Sequence, residues 1–114
     1  PRLEETQDWT FHVWDQIGLK LRAAHGSNVV DRLALFLLTD SSLGVQMKPF
    51  SGSLVLNGRG IKPDDGPEMI RAGTITCSST PSGSSLCKLA GSERIFFLLE
   101  SPSNRLIGVL ADIP

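Results

Sequence analysis

The chain has 114 residues, 40% hydrophobic and 20% charged, with a formal net charge of −1. That composition belongs to a folded domain of ordinary size, 1–114, and excludes disordered or collagen-like material. Lys and Arg are scattered among acids, which disfavours nucleic acid as a partner. No apolar stretch reaches the roughly 20 residues of a membrane span.

The first five residues, Pro1-Arg2-Leu3-Glu4-Glu5, lack the apolar centre of a secretory signal, so intracellular use is expected over secretion. From Thr6 to His25, Trp9, Val13, Ile17 and Leu21 recur every four residues and Trp14 widens the stripe. This pattern predicts an amphipathic helix. Acidic residues Glu4, Glu5 and Asp8 at its start and Lys20, Arg22 and His25 at its end suit the helix dipole. Gly26 suits a left-handed stop, while Gly18 weakens the middle by roughly 1 kcal/mol relative to Ala.

Residues 29–39 read as a strand apolar on both faces, and Asp40-Ser41-Ser42 as a turn. A return strand is expected over 44–50, ended by Pro49, which cannot donate to a ladder. A short strand at 53–56 closes at Asn57-Gly58, a strong turn signal. The stretch 57–73 reads as loop, with one helical turn at 68–72. Alternation over 74–78 predicts a half-exposed strand, the Ser/Gly/Pro-rich 78–85 a mobile loop, and 86–90 is ambiguous. The clearest hairpin is 94–100 with 106–113, turning through Ser101-Pro102-Ser103-Asn104-Arg105, and Gly108 marks a bulge or a close neighbour. The expected architecture is therefore α+β: one N-terminal helix packed on a mainly antiparallel sheet, or a small barrel, of six to seven strands.

Motifs for chemistry are weak. His12 and His25 are the two histidines, thirteen positions apart, and neither has a nucleophile beside it in sequence. Cys77 and Cys87 flank the Ser-rich loop and read either as a hairpin-bridging disulfide or as two free thiols. Asn57-Gly58-Arg59-Gly60 lacks the Lys-Ser/Thr of a phosphate loop, and Asp64, Asp65 and Glu68 lack the alternating ligands of a calcium loop. Thr80-Pro81 and Ser101-Pro102 fit proline-directed phosphorylation, a pattern too common to weigh. No catalytic residue, cofactor or metal is expected, and an enzyme is disfavoured.

The informative feature is an imbalance. The runs 33–38, 95–99 and 106–110 are apolar on both strand faces, yet one helix covers one face. A protein partner or second copy is expected to close the other. The chain thus reads as a non-enzymatic protein–protein interaction module, an assembly or adaptor subunit. Trp9 and Trp14, then Phe96 with Leu98 or Phe97 with Leu99, are the interface candidates. An alternative is a small barrel binding an anionic ligand or nucleic acid through the 57–73 loop, with Arg59, Lys62 and Arg71 as anion-binding candidates. A viral-type structural or matrix subunit is the other alternative.

Overall fold

The segment expected as an N-terminal helix folds instead as strands. In the computed structural model, which describes residues 1–38, 48–81 and 83–114, β1 is Arg2–Glu5, β2 is Trp9–Trp14 and β3 is Leu19–Ala24. The physical reason lies in the spacing. A repeat of four is even, so Trp9 and Val13 share one face of a strand as readily as one face of a helix. A helix also needs apolar residues at i+3, where this chain has His12, Gln16 and Lys20. The run Trp9–Trp14 is also rich in aromatic and β-branched residues, which suit a pleated surface. Gly18, at φ +70°, then reverses the chain, with the Ile17 and Gly18 N–H groups donating to the Trp14 carbonyl at 3.3 and 3.1 Å.

β4 (Val30–Phe36) follows. The turn expected at Asp40-Ser41-Ser42 and the first half of the return strand lie outside the described residues, and 48–50 are not strand. β5 (Leu54–Leu56) turns at Asn57-Gly58, both at positive φ, into β6 (Arg59–Ile61), so the start of the stretch read as loop is the second strand of a hairpin. A 3-10 turn at Pro63–Asp65 leads into α1 (Gly66–Arg71). Gly66 is buried where a Cβ would collide with the Asn104 carbonyl oxygen, so the helix starts flush against the β9–β10 turn.

β7 (Ile75–Ser79), β8 (Ser85–Leu89), β9 (Ile95–Leu99) and β10 (Leu106–Asp112) complete the chain. The loop read as 78–85 is shorter, because Ser78, Ser79 and Ser85 belong to strands. The Thr80 N–H donates to the Ser84 carbonyl across it.

Among the described residues, eight strands form one antiparallel sheet in the order β1-β2-β3-β4-β10-β9-β8-β7. Two meanders thus join where β4 pairs β10, and β1 and β7 are left as edges. Among the described residues the sheet is open, not closed as a barrel. The α+β expectation of one N-terminal helix on six or seven strands is replaced by a sheet protein with a short helical segment mid-chain. Cys77 and Cys87 stand opposite each other in β7 and β8 and are joined as a disulfide.

The core lies on one face of the second meander. Phe97, Leu99, Leu106 and Cys87 are 0% exposed and pack with Met69, Ile75, Leu89 and Val109. α1 contributes Met69 and Ile70 as cover, and the β5–β6 hairpin contributes Leu54, Leu56 and Ile61. The same face continues over the first meander through the row Trp14–Leu19–Leu35–Val109–Phe97. There Trp14, Leu19 and Leu35 are half-buried and lie outside that cluster.

Candidate binding surface

Strand alternation sorts the apolar runs into two sets. Phe97 and Leu99 point into the core, and their neighbours Phe96 and Leu98 point to the opposite, open face, where both are half-buried. No described helix or hairpin packs against that open face, since α1 and β5–β6 both lie on the core side. Following the register, one row across it reads Glu4, Phe11, Arg22, Arg32 and Asp112. The next reads Arg2, Val13, Lys20, Ala34, Leu110, Phe96 and Lys88.

Three cations on this face lie over aromatic rings. The Arg22 guanidinium sits 3.8 Å from the Trp9 ring centroid, and Lys20 Nζ lies 4.4 Å from that of Phe11. Arg32 stands 6.0 Å from the centroid of Phe96. Such stacking holds a cation over an apolar surface and restricts its rotamers.

Each cation is also tied to a carboxylate. Arg22 donates from Nε and Nη2 to the two Asp31 oxygens at 3.0 and 3.2 Å, and Arg32 likewise to Asp112 at 2.6 and 3.3 Å. Lys20 pairs with Glu4 at 3.0 Å, and Arg2 joins Asp15 and Glu4. A register shift after Arg22↔Arg32 makes Asp31 the extra residue of a bulge, and from that position its carboxylate reaches Arg22. Hydrogen bonding from Arg32, with the charges of Arg32 and Arg22, holds the Asp112 carboxyl below the usual carboxylate range. Arg2 does the same to Asp15 and, helped by Lys20, to Glu4.

Between these groups lies a depression of about 270 Å³. Trp9, Phe11, Ala34, Phe36 and Leu110 supply its apolar lining, and Lys20, Arg22 and Arg32 complete it. Three cations and no carboxylate therefore face the space.

Of the interface candidates, Trp9, Phe96 and Leu98 lie on the open face, while Phe97 and Leu99 are core. Trp14 points the other way from Trp9, because positions five apart on a strand have opposite parity. The three anion-binding candidates do not converge. Arg59 lines a smaller depression of about 190 Å³ beside Asp65, Lys62 precedes the 3-10 turn, and Arg71 is paired with Glu68 at 2.7 Å. His12 lies on the core-side face between Leu3 and Leu21, and His25 is exposed after β3. Among the described residues no cluster of three His, Cys, Asp or Glu is placed to hold a metal ion.

Sequence reading missed Phe11, Lys20, Arg22, Arg32, Asp31 and Asp112. The signal was present in Phe11-x-Val13 and Lys20-x-Arg22, whose alternation is legible only once the segment is read as strand. No described helix is long and apolar enough to cross a membrane. No protein-family model matches the chain, and neither does any curated protein or solved structure.

Proposed function

We propose that this chain is a non-enzymatic interaction module that meets a protein partner across the open face of its sheet. The observation that carries this reading is the division of Ile95–Leu99. Phe97 and Leu99 bury completely under α1 and the β5–β6 hairpin, while Phe96 and Leu98 have no described element over them. Together with Trp9, Phe11, Phe36 and Leu110 they make a half-exposed aromatic and aliphatic surface, rimmed by Arg and Lys. Interfaces concentrate Trp, other aromatics and Arg in this way, with polar groups at the rim.

The depression supports a macromolecular partner over an enclosed ligand. Its roughly 270 Å³ falls below the usual 300–1,000 Å³ of small-molecule sites. It has the size for one or two side chains of an apposed surface. A binding role also suits the chemistry of the face, where the charged groups are arranged as ion pairs.

A displayed random-peptide library selected on the purified chain tests the reading. Enriched peptides are expected to bind the wild type, to lose binding on Phe96→Ala and Leu98→Ser, and to tolerate Val55→Ser on the exposed hairpin. Failure to enrich any peptide, or enriched peptides indifferent to both open-face changes, would overturn it. Self-association through the same face, seen as a dimer mass abolished by Leu98→Ser, would replace the separate partner with a second copy.

The Cys77–Cys87 bond supports an oxidising working environment, since disulfides persist there and are rare in reducing compartments.

A further inference from the structure

We infer that Arg22 and Arg32 form a clamp for the carboxylate of an acidic residue that neighbours an aromatic side chain in an extended segment of the partner. The inference rests on the open face being the partner-binding surface, and it names what that surface reads.

Arg22 and Arg32 are direct cross-strand partners. Like charges placed opposite each other destabilise a sheet, so the arrangement costs stability that the fold alone does not require. Two aspartates offset the cost from outside the pair: Asp31 through the β4 bulge and Asp112 from β10. Both arginines bind their aspartate through Nε and Nη2 alone. The Nη1 group of each has no hydrogen-bond partner among the described residues. Two guanidinium groups are thus oriented by carboxylates and aromatic rings while each keeps a donor group available.

Their surroundings select the rest of the ligand. The depression beside them presents three cations, no carboxylate, and a lining of Trp9, Phe11, Ala34, Phe36 and Leu110. An incoming carboxylate finds the Nη1 donors, and an apolar ring next to it in sequence finds the lining. Arg22 and Arg32 side chains are 20% and 31% exposed, so much of their desolvation is already complete before binding. Because each arginine already holds an aspartate, net attraction is modest. Recognition then depends on the Nη1 donor that arginine keeps while its Nε and Nη2 hold the aspartate, a second donor nitrogen that lysine lacks.

The test titrates three capped tripeptides, Glu-Phe-Glu, Gln-Phe-Gln and Glu-Ala-Glu, into the isotope-labelled chain. Backbone amides and the Trp9 indole N–H are followed by NMR. Glu-Phe-Glu is expected to shift the Trp9, Arg22 and Arg32 signals and to bind at least tenfold more tightly than either other peptide. Arg32→Gln is expected to lose at least tenfold, and Arg32→Lys, which keeps the charge, to lose a comparable amount. If Arg32→Gln impairs folding, the lysine variant carries the comparison.

Equal binding of Glu-Phe-Glu and Gln-Phe-Gln, or Arg32→Lys binding as well as wild type, overturns the clamp. Library-selected peptides that still need Phe96 and Leu98 but show no dependence on acidic residues would leave the interaction module standing and remove this inference alone. Loss of both kinds of binding removes the two together.

Discussion

Arg22 and Arg32 face each other across β3 and β4, Arg22 held by Asp31 of the β4 bulge and Arg32 by Asp112 from β10 on its other side. Partly exposed ion pairs contribute little to stability, typically about 0–1 kcal/mol. Arg22→Gln and Arg32→Gln are therefore each expected to lower folding stability by no more than about 1 kcal/mol in urea denaturation. A loss well beyond that would assign the pair to holding the sheet together and leave little for recognition.

Phe96 and Phe97 are adjacent in sequence and opposite in role. Phe97→Ala empties a site that is 0% exposed and is expected to cost about 3–5 kcal/mol. Phe96→Ala removes a ring that is only partly buried and is expected to cost less, about 1–2 kcal/mol. The two unfolding midpoints, compared at equal denaturant slopes, give the answer. Similar losses for both would mean that the open face is covered.

The Cys77–Cys87 bond closes a short loop, with a sequence separation of 10, between an edge strand and its neighbour. Cross-links of that span stabilise by roughly 2–3 kcal/mol. Thiol titration of the denatured chain without reductant should find no free thiol. A dithiol reductant should lower the midpoint by a corresponding amount, and the Cys77→Ser, Cys87→Ser double variant should match the reduced protein. Two titrating thiols in the untreated chain would contradict the paired state.

Acid stability follows from the depressed carboxyls of Glu4, Asp15 and Asp112, lowered chiefly by hydrogen bonds from Arg2, Arg2 and Arg32 respectively. A carboxyl whose folded pKa lies below its unfolded value stabilises the fold above the unfolded pKa. That contribution is lost as pH falls through the folded one. The unfolded values lie near about 4, so thermal stability should be level above roughly pH 5 and should fall steadily below about pH 4. Asp112→Asn should flatten part of that decline. An unchanged acid limb in this variant would show that the Arg32 pairing does not carry it.

Parts of the architecture were legible from local residues. Asn57-Gly58 marks its turn because both positions adopt positive φ, but the returning strand Arg59–Ile61, with Arg59 between Gly58 and Gly60, reads as loop. The β9–β10 hairpin was legible because two apolar runs flank a Pro/Asn turn, and Gly108 does sit beside a bulge, where a Cβ would lie 2.9 Å from the Leu35 carbonyl oxygen. The N-terminal segment fits a helix as well as a hairpin, because a four-residue repeat satisfies both periods. The polar i+3 positions, His12, Gln16 and Lys20, were the discriminating signal.

By itself the amino-acid order determined that 33–38, 95–99 and 106–110 carry long apolar runs in strands. It did not determine what covers them, because the N-terminal helix expected to do so folds as strands. The runs follow from composition and alternation, which are local. Tertiary structure alone decided which residues meet on the uncovered side. Arg32 finds Asp112 eighty positions away, and Arg22 comes opposite Arg32 through strand register and a bulge at Asp31. Register between the meanders is set where β4 pairs β10, and no local spacing encodes a pairing imposed from the far end of the chain.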